Sequence, residues 1–128
     1  MAENIISIEE KYHKEIIQKM KAVGTYNTSF LYTVNVLAKV LADYESTTNQ
    51  FKMIGGNIVV KYTNKNGSTN VVKNPLYLAI EKLRDDIISY SKELGLTPAG
   101  LKRINQDGNI PVEKTKLEQV LNELSKGS

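Results

Sequence analysis

The chain has no cysteine, no tryptophan and a single histidine, His13, in 128 residues. Without cysteine there are no disulfides, no thiolate metal sites and no cysteine nucleophile. One histidine excludes a His-pair metal site and leaves a single candidate base for a Ser-His-Asp arrangement. Asp85 and Asp86 are adjacent on a predicted helix, so they point in different directions and cannot work as an acid/base pair on one substrate atom. No segment reaches the ~18 consecutive apolar residues of a membrane span. The start, Met1-Ala2-Glu3-Asn4-Ile5-Ile6, is neither basic nor followed by a long apolar run, so no signal peptide is expected. What is absent points to a soluble, intracellular, non-enzymatic protein with no metal and no cofactor. The length fits one domain, 1–128, able to bury roughly two-thirds of its unfolded surface without staples.

Charge of one sign is also missing locally. The formal net charge is only +3, yet between Glu45 and Glu81 there is no acidic residue at all. That stretch holds Lys52, Lys61, Lys65 and Lys73 among many asparagines. An acid-free cationic stretch is a candidate footprint for a polyanion; the alternative is an exposed hairpin kept soluble by Lys and Asn.

Ser7 and Glu10 have capping-box spacing, predicting a first helix from about Ile8 to Val23, stopped by Gly24. Tyr12, Ile16, Met20 and Val23 continue its apolar face, while Lys11, Lys14, Lys19 and Lys21 alternate with glutamates elsewhere. After Asn27 or Thr28 a second helix runs to about residue 54, roughly 40 Å long. Phe30, Val34, Leu37, Leu41, Tyr44 and Phe51 form a heptad seam, with Thr48 at its one polar position, which predicts lengthwise packing on another helix. Leu31, Val36, Ala38 and Val40 lie off that seam, so the helix needs more than one partner. The period then changes. Ile58, Val60 and Tyr62 alternate with Val59, Lys61 and Thr63, and Asn66-Gly67 separates them from Val71-Val72, predicting a β-hairpin.

Asn74-Pro75 opens a third helix as N-cap and first helical residue. Leu76, Ile80, Leu83, Ile87, Tyr90 and Leu94 repeat the heptad steps, and Gly95 closes them. Two seamed helices joined by a hairpin make an antiparallel pair, and a pair this long leaves apolar surface that self-association would cover. Thr97-Pro98 starts a short helix to about Asn105. After the Asp107-Gly108 turn, 112–125 predicts a last amphipathic helix with Leu117, Val120, Leu121 and Leu124 on one face. The organisation is therefore an N-terminal helix (1–24), a helix–hairpin–helix core (25–106) and a C-terminal helix (107–128).

The order of long helix, Gly55-Gly56, hairpin, Asn74-Pro75 and then Leu94-Gly95-Leu96-Thr97-Pro98 with Lys102-Arg103 resembles the small terminase subunits of tailed bacteriophages. It resembles in particular the branch with a Leu-Gly-Leu-Thr-Pro motif, over about residues 17–104. The resemblance implies a mainly α, ring-forming homo-oligomer without catalytic activity, acting in the host cytoplasm. It implies that the chain binds double-stranded viral DNA and hands it to the large terminase subunit, which supplies the ATPase and nuclease. The implied ring contacts lie on the long helices: Phe30, Leu31, Val34, Val36, Leu37, Val40, Leu41, Tyr44, Leu76, Ile80, Leu83 and Ile87.

For DNA contact the leading candidates are Lys61, Lys65 and Lys73 with Lys52 at the hairpin's approach, followed by Lys102 and Arg103. The helix 1 lysines come third, and 112–125 is the candidate surface for the large subunit, its apolar face being equally able to close the chain's own core. Within the terminase reading, a helix-turn-helix reader formed by helix 1, Gly24 and the start of helix 2 stays open as the DNA-binding element in place of the hairpin. Two other functions also stay open: a helical scaffold that never touches DNA, and a dimeric helix-turn-helix transcriptional regulator.

Overall fold

A computed structural model describes residues 2–107, 120, 121, 123 and 124 of the chain. In order come α1 (Ala2–Val23), a 3-10 turn (Thr28–Phe30), α2 (Leu31–Met53), β1 (Val59–Thr63), β2 (Thr69–Lys73), α3 (Pro75–Glu93) and α4 (Pro98–Asp107). The mainly helical architecture with one antiparallel hairpin between two long helices matches the expectation. The start of α1 does not. The helix begins at Ala2, and Ser7 sits inside it as an exposed residue rather than capping it. No Gly or Pro interrupts 2–7, and an interior Ser costs a helix only a few tenths of a kcal/mol, roughly. Most of the expected 112–125 helix lies outside the described residues; Val120, Leu121 and Leu124 are helical and exposed.

The core lies at one end of the molecule. Ile16 and Met20 of α1, Val34, Leu37 and Ala38 of α2, and Leu94 after α3 form one buried cluster. Tyr12, Phe30, Leu41, Ile87, Tyr90 and Leu96 pack around it. Thus α1 folds back lengthwise along α2. Burial first and the Glu45 carboxylate second raise the Tyr12 phenol above its ordinary pKa. Beyond Ala42 the α2–α3 pair continues, with Ile80 buried and the Phe51 and Tyr77 rings 5.6 Å apart.

Helices α1, α2 and α3 end in the same way. The backbone N–H of Gly24, Gly55 or Gly95 donates to the carbonyl three residues back, and the next N–H donates to the carbonyl five back. This reciprocal closure needs a left-handed residue, and each glycine has positive φ. At Gly95 the constraint is double. A Cβ there would lie 2.7 Å from Thr25 Cγ2 and 2.9 Å from Ile104 Cδ1, so α4 docks where only hydrogen fits. Leu94 is fully buried before the turn, Thr97 Oγ1 accepts from the Gly100 N–H at 3.0 Å, and Pro98 begins α4. A Cβ on Gly100 would meet the Lys92 carbonyl oxygen at 2.1 Å.

At the other end Asn74 is buried and serves two elements. Its Oδ1 accepts from the Leu76 N–H at 3.0 Å, capping α3, while its Nδ2 donates to the Asn57 carbonyl at 3.0 Å. Its backbone N–H donates to the Ile58 carbonyl at 2.7 Å, so one residue fixes the hairpin's base to α3.

Gly95→Ala and Gly100→Ala should each lower the unfolding free energy by roughly 1–3 kcal/mol, through a strained left-handed residue and a backbone clash respectively. Denaturant titration followed by far-UV circular dichroism checks this, and unchanged midpoints would contradict the close α3–α4 contact.

Candidate nucleic-acid interface

The hairpin register pairs Val59 with Lys73, Val60 with Val72, Lys61 with Val71, Tyr62 with Asn70 and Thr63 with Thr69. Cross-strand partners share a face. One face therefore carries Val59, Lys61, Val71 and Lys73 with the two threonines at its tip end. The other carries Val60, Val72, Tyr62 and Asn70. Every hairpin residue except Val60 and Asn64 is exposed. The Asn66-Gly67 signal belongs to a five-residue connection, 64–68. Asn66 keeps a negative φ and only Gly67 is left-handed. The Asn64 carboxamide oxygen accepts from the N–H groups of Asn66 and Ser68 at 3.0 Å, which stiffens the turn.

Lys61 and Lys65 are exposed on this ribbon, with no carboxylate within ion-pair distance among the described residues. Lys73 departs from its expected freedom from acids. Its Nζ lies 2.8 Å from Glu81 Oε1 and 5.8 Å from the Tyr77 ring centre. The hydrogen bond and charge of Glu81 raise its pKa above the usual lysine value. The acid that ends the acid-free stretch in sequence is thus folded back against its last lysine. Lys52 is exposed in the last turn of α2, where a cation also favours the helix dipole. Lys102 is exposed on α4, but Arg103 Nη2 donates to Glu93 Oε2 at 3.2 Å. The α4 residues and the hairpin lysines stand at opposite ends of α2, whose 23 residues span roughly 35 Å. They form two patches on one chain, not one. On α1, Lys11 and Lys21 lie over the rings of Tyr12 and Tyr26 at 5.2 and 5.0 Å.

The long-helix residues expected at a ring contact divide. Val34 and Leu37 are 1% exposed and Ile80 2%, so they are used inside the chain's own core. Phe30, Leu41 and Ile87 are half-buried against that core. Leu31, Val36, Val40, Tyr44, Leu76 and Leu83 remain half-buried. The most available apolar groups are others: Tyr32 at 81%, Met53 at 85%, and the exposed Ile54, Leu78 and Ile88. Sequence reading also passed over Arg84, whose Nε donates to the Tyr44 hydroxyl at 3.3 Å and whose guanidinium lies 5.9 Å from the Tyr77 ring centre. These hydrogen bonds, Tyr44 first, raise its pKa further. Its distance from Tyr44 in sequence hides that contact, although Tyr77 and Arg84 share one stripe of α3 at heptad spacing.

His13 borders a groove of about 400 Å³ with Glu9, Glu10, Lys14 and Asn35. Among the described residues no three His, Asp or Glu side chains could hold a metal, and no helix is long and apolar enough to cross a membrane. The family model described as phage terminase, small subunit, matches residues 10–109. No curated protein and no solved structure matches the chain.

The Lys73–Glu81 pair gives a pH prediction. A lysine whose pKa is raised on folding stabilises below its unfolded value of 10.5, and that stabilisation is lost as pH climbs through the folded value. Thermal scans between about pH 8 and 11.5 should show wild type losing a small advantage over Glu81→Gln. Roughly 0.5 M salt should remove the same advantage near neutrality, because the pair is solvent-exposed.

Proposed function

The chain belongs to the phage terminase small subunit family, and from that premise we propose that it binds viral DNA as a homo-oligomeric ring. In this reading the ring presents the DNA to the large terminase subunit in the host cytoplasm and leaves ATP hydrolysis and cleavage to that partner. The observation that carries the DNA contact is the acid-free segment between Glu45 and Glu81, folded as an exposed ribbon bearing Lys61 and Lys65, with Lys52 beside its entry. Neutralising phosphates releases counterions, and that gain needs no base contact. A ring repeats the ribbon once per subunit, so a weak single contact becomes a strong collective one. Lys102 and Arg103 form a second belt at the other end of each subunit.

Assembly is supported by the imbalance of apolar surface. Among the described residues nine apolar side chains are buried and fourteen large ones are exposed. Contact between copies would cover part of that surface. The half-buried Val36 and Val40 lie on the flank of α2 away from Ala38, which packs in the core with α1. Tyr32 and Ile88 extend the exposed apolar surface on α2 and α3. A head-to-tail contact through that flank closes into a ring when the rotation between copies allows.

Two measurements test the reading. Native mass spectrometry should find a particle of many copies that Val36→Asp/Val40→Asp reduces to small species; a wild-type monomer would overturn the ring. Lys61→Ala/Lys65→Ala should weaken duplex binding and flatten the salt dependence, by about 0.9 in log–log slope for each phosphate no longer neutralised. Unchanged affinity and slope would remove the hairpin from the DNA interface.

A further inference from the structure

The hairpin changes character halfway along its length. Its base half carries Val59, Val60, Val71 and Val72. From Lys61 to Asn70 every residue is Lys, Tyr, Thr, Asn, Ser or Gly, with neither an aliphatic nor an acidic side chain. A surface made to pack against protein keeps apolar groups at its centre. This tip has a single one, the exposed Tyr62 ring, set among amides and ammonium groups. It is also held rigid, by the Thr63–Thr69 hydroxyl contact of 3.0 Å and by the Asn64 carboxamide across the turn. Its base is fixed to α3 through Asn74.

The register then separates two chemistries. Tyr62 and Asn70 form an exposed cross-strand pair on one face, and Lys61 is on the other. Asn66 and Lys65 occupy the turn between them. Two strands about 4.8 Å apart form a ribbon that enters the major groove of B-DNA, about 12 Å wide. Asparagine is the side chain whose amide matches both N6 and N7 of adenine.

We propose that the hairpin tip reads duplex DNA from the major groove, with the Tyr62–Asn70 face turned to the base edges and Asn70 and Asn66 contacting adenine. Lys61 and Lys65 then reach the phosphates at the groove's rims. This rests on the DNA-binding reading above and adds to it a site of sequence choice, distinct from the phosphate contacts that supply affinity.

The test uses the full-length assembly. Selection from a random duplex pool defines the preferred site, and binding to that site is compared with binding to scrambled duplex. Asn70→Ala should lose roughly 5- to 150-fold of the preference at one adenine position, with unchanged salt slope and particle mass. Lys61→Ala should lower the slope instead. Methylating the exocyclic N6 of that adenine should weaken wild type by a similar factor and leave Asn70→Ala unaffected, while a minor-groove ligand such as netropsin should not compete.

If wild type shows no preference, or if Asn70→Ala and Asn66→Ala retain it, the inference is overturned while DNA binding stands. If wild type binds no duplex at all, the functional reading falls with it. Disulfide capture of Asn66→Cys between copies, with DNA binding unaffected by that link, would instead assign the tips to each other.

Discussion

Burial of Leu94 is the constraint from which the rest of the structure follows. Its side chain is fully enclosed where α1, α2 and the end of α3 meet. The chain must then turn back at once, and Gly95 is the one residue that can do so against Thr25 and Ile104. That single turn closes the core, ends α3 and seats α4. The Leu-Gly-Leu-Thr-Pro segment is thus a structural joint: an anchor, a left-handed hinge point, a second partly buried leucine, a cap and a helix start. Nothing in it is set aside for chemistry.

Because the core gathers at that joint, the opposite end is sparsely packed. A two-stranded hairpin is marginally stable by itself in water. The hairpin persists because its base is tied into a helix start. Asn74 caps α3 with one side-chain atom and holds the hairpin's entry strand with another, so the ribbon's orientation follows from the helix axis. The molecule is a solid base carrying a stiff, polar projection.

Most of this organisation was legible in the sequence because it is local. Asn74-Pro75, the glycine stops, the heptad seams and the change of period at Asn57 each act within a few residues. The start of α1 was misread because a cap signal competes with continuous helix propensity, and propensity won. The non-local features were hidden. Periodicity shows that α2 has two apolar flanks, but not how far α1 covers the second, so the core residue Ala38 could not be told apart from Val36 and Val40. The candidate site was half legible. The missing acids between Glu45 and Glu81 marked the segment, yet the Lys73–Glu81 pair depends on how β2 runs into α3. The face shared by Tyr62 and Asn70 appears only once the register is known.

The division of the hairpin into an apolar base and a polar tip also separates two kinds of selection. Substitutions at Lys61, Tyr62, Lys65 and Asn70 touch no core side chain, and exposed changes of that sort alter stability by only about 0.5 kcal/mol either way. On the proposed reading, the exposed Lys61, Lys65 and Asn70 can change one at a time while Asn64, Gly67 and the Thr63–Thr69 contact keep the shape that displays them.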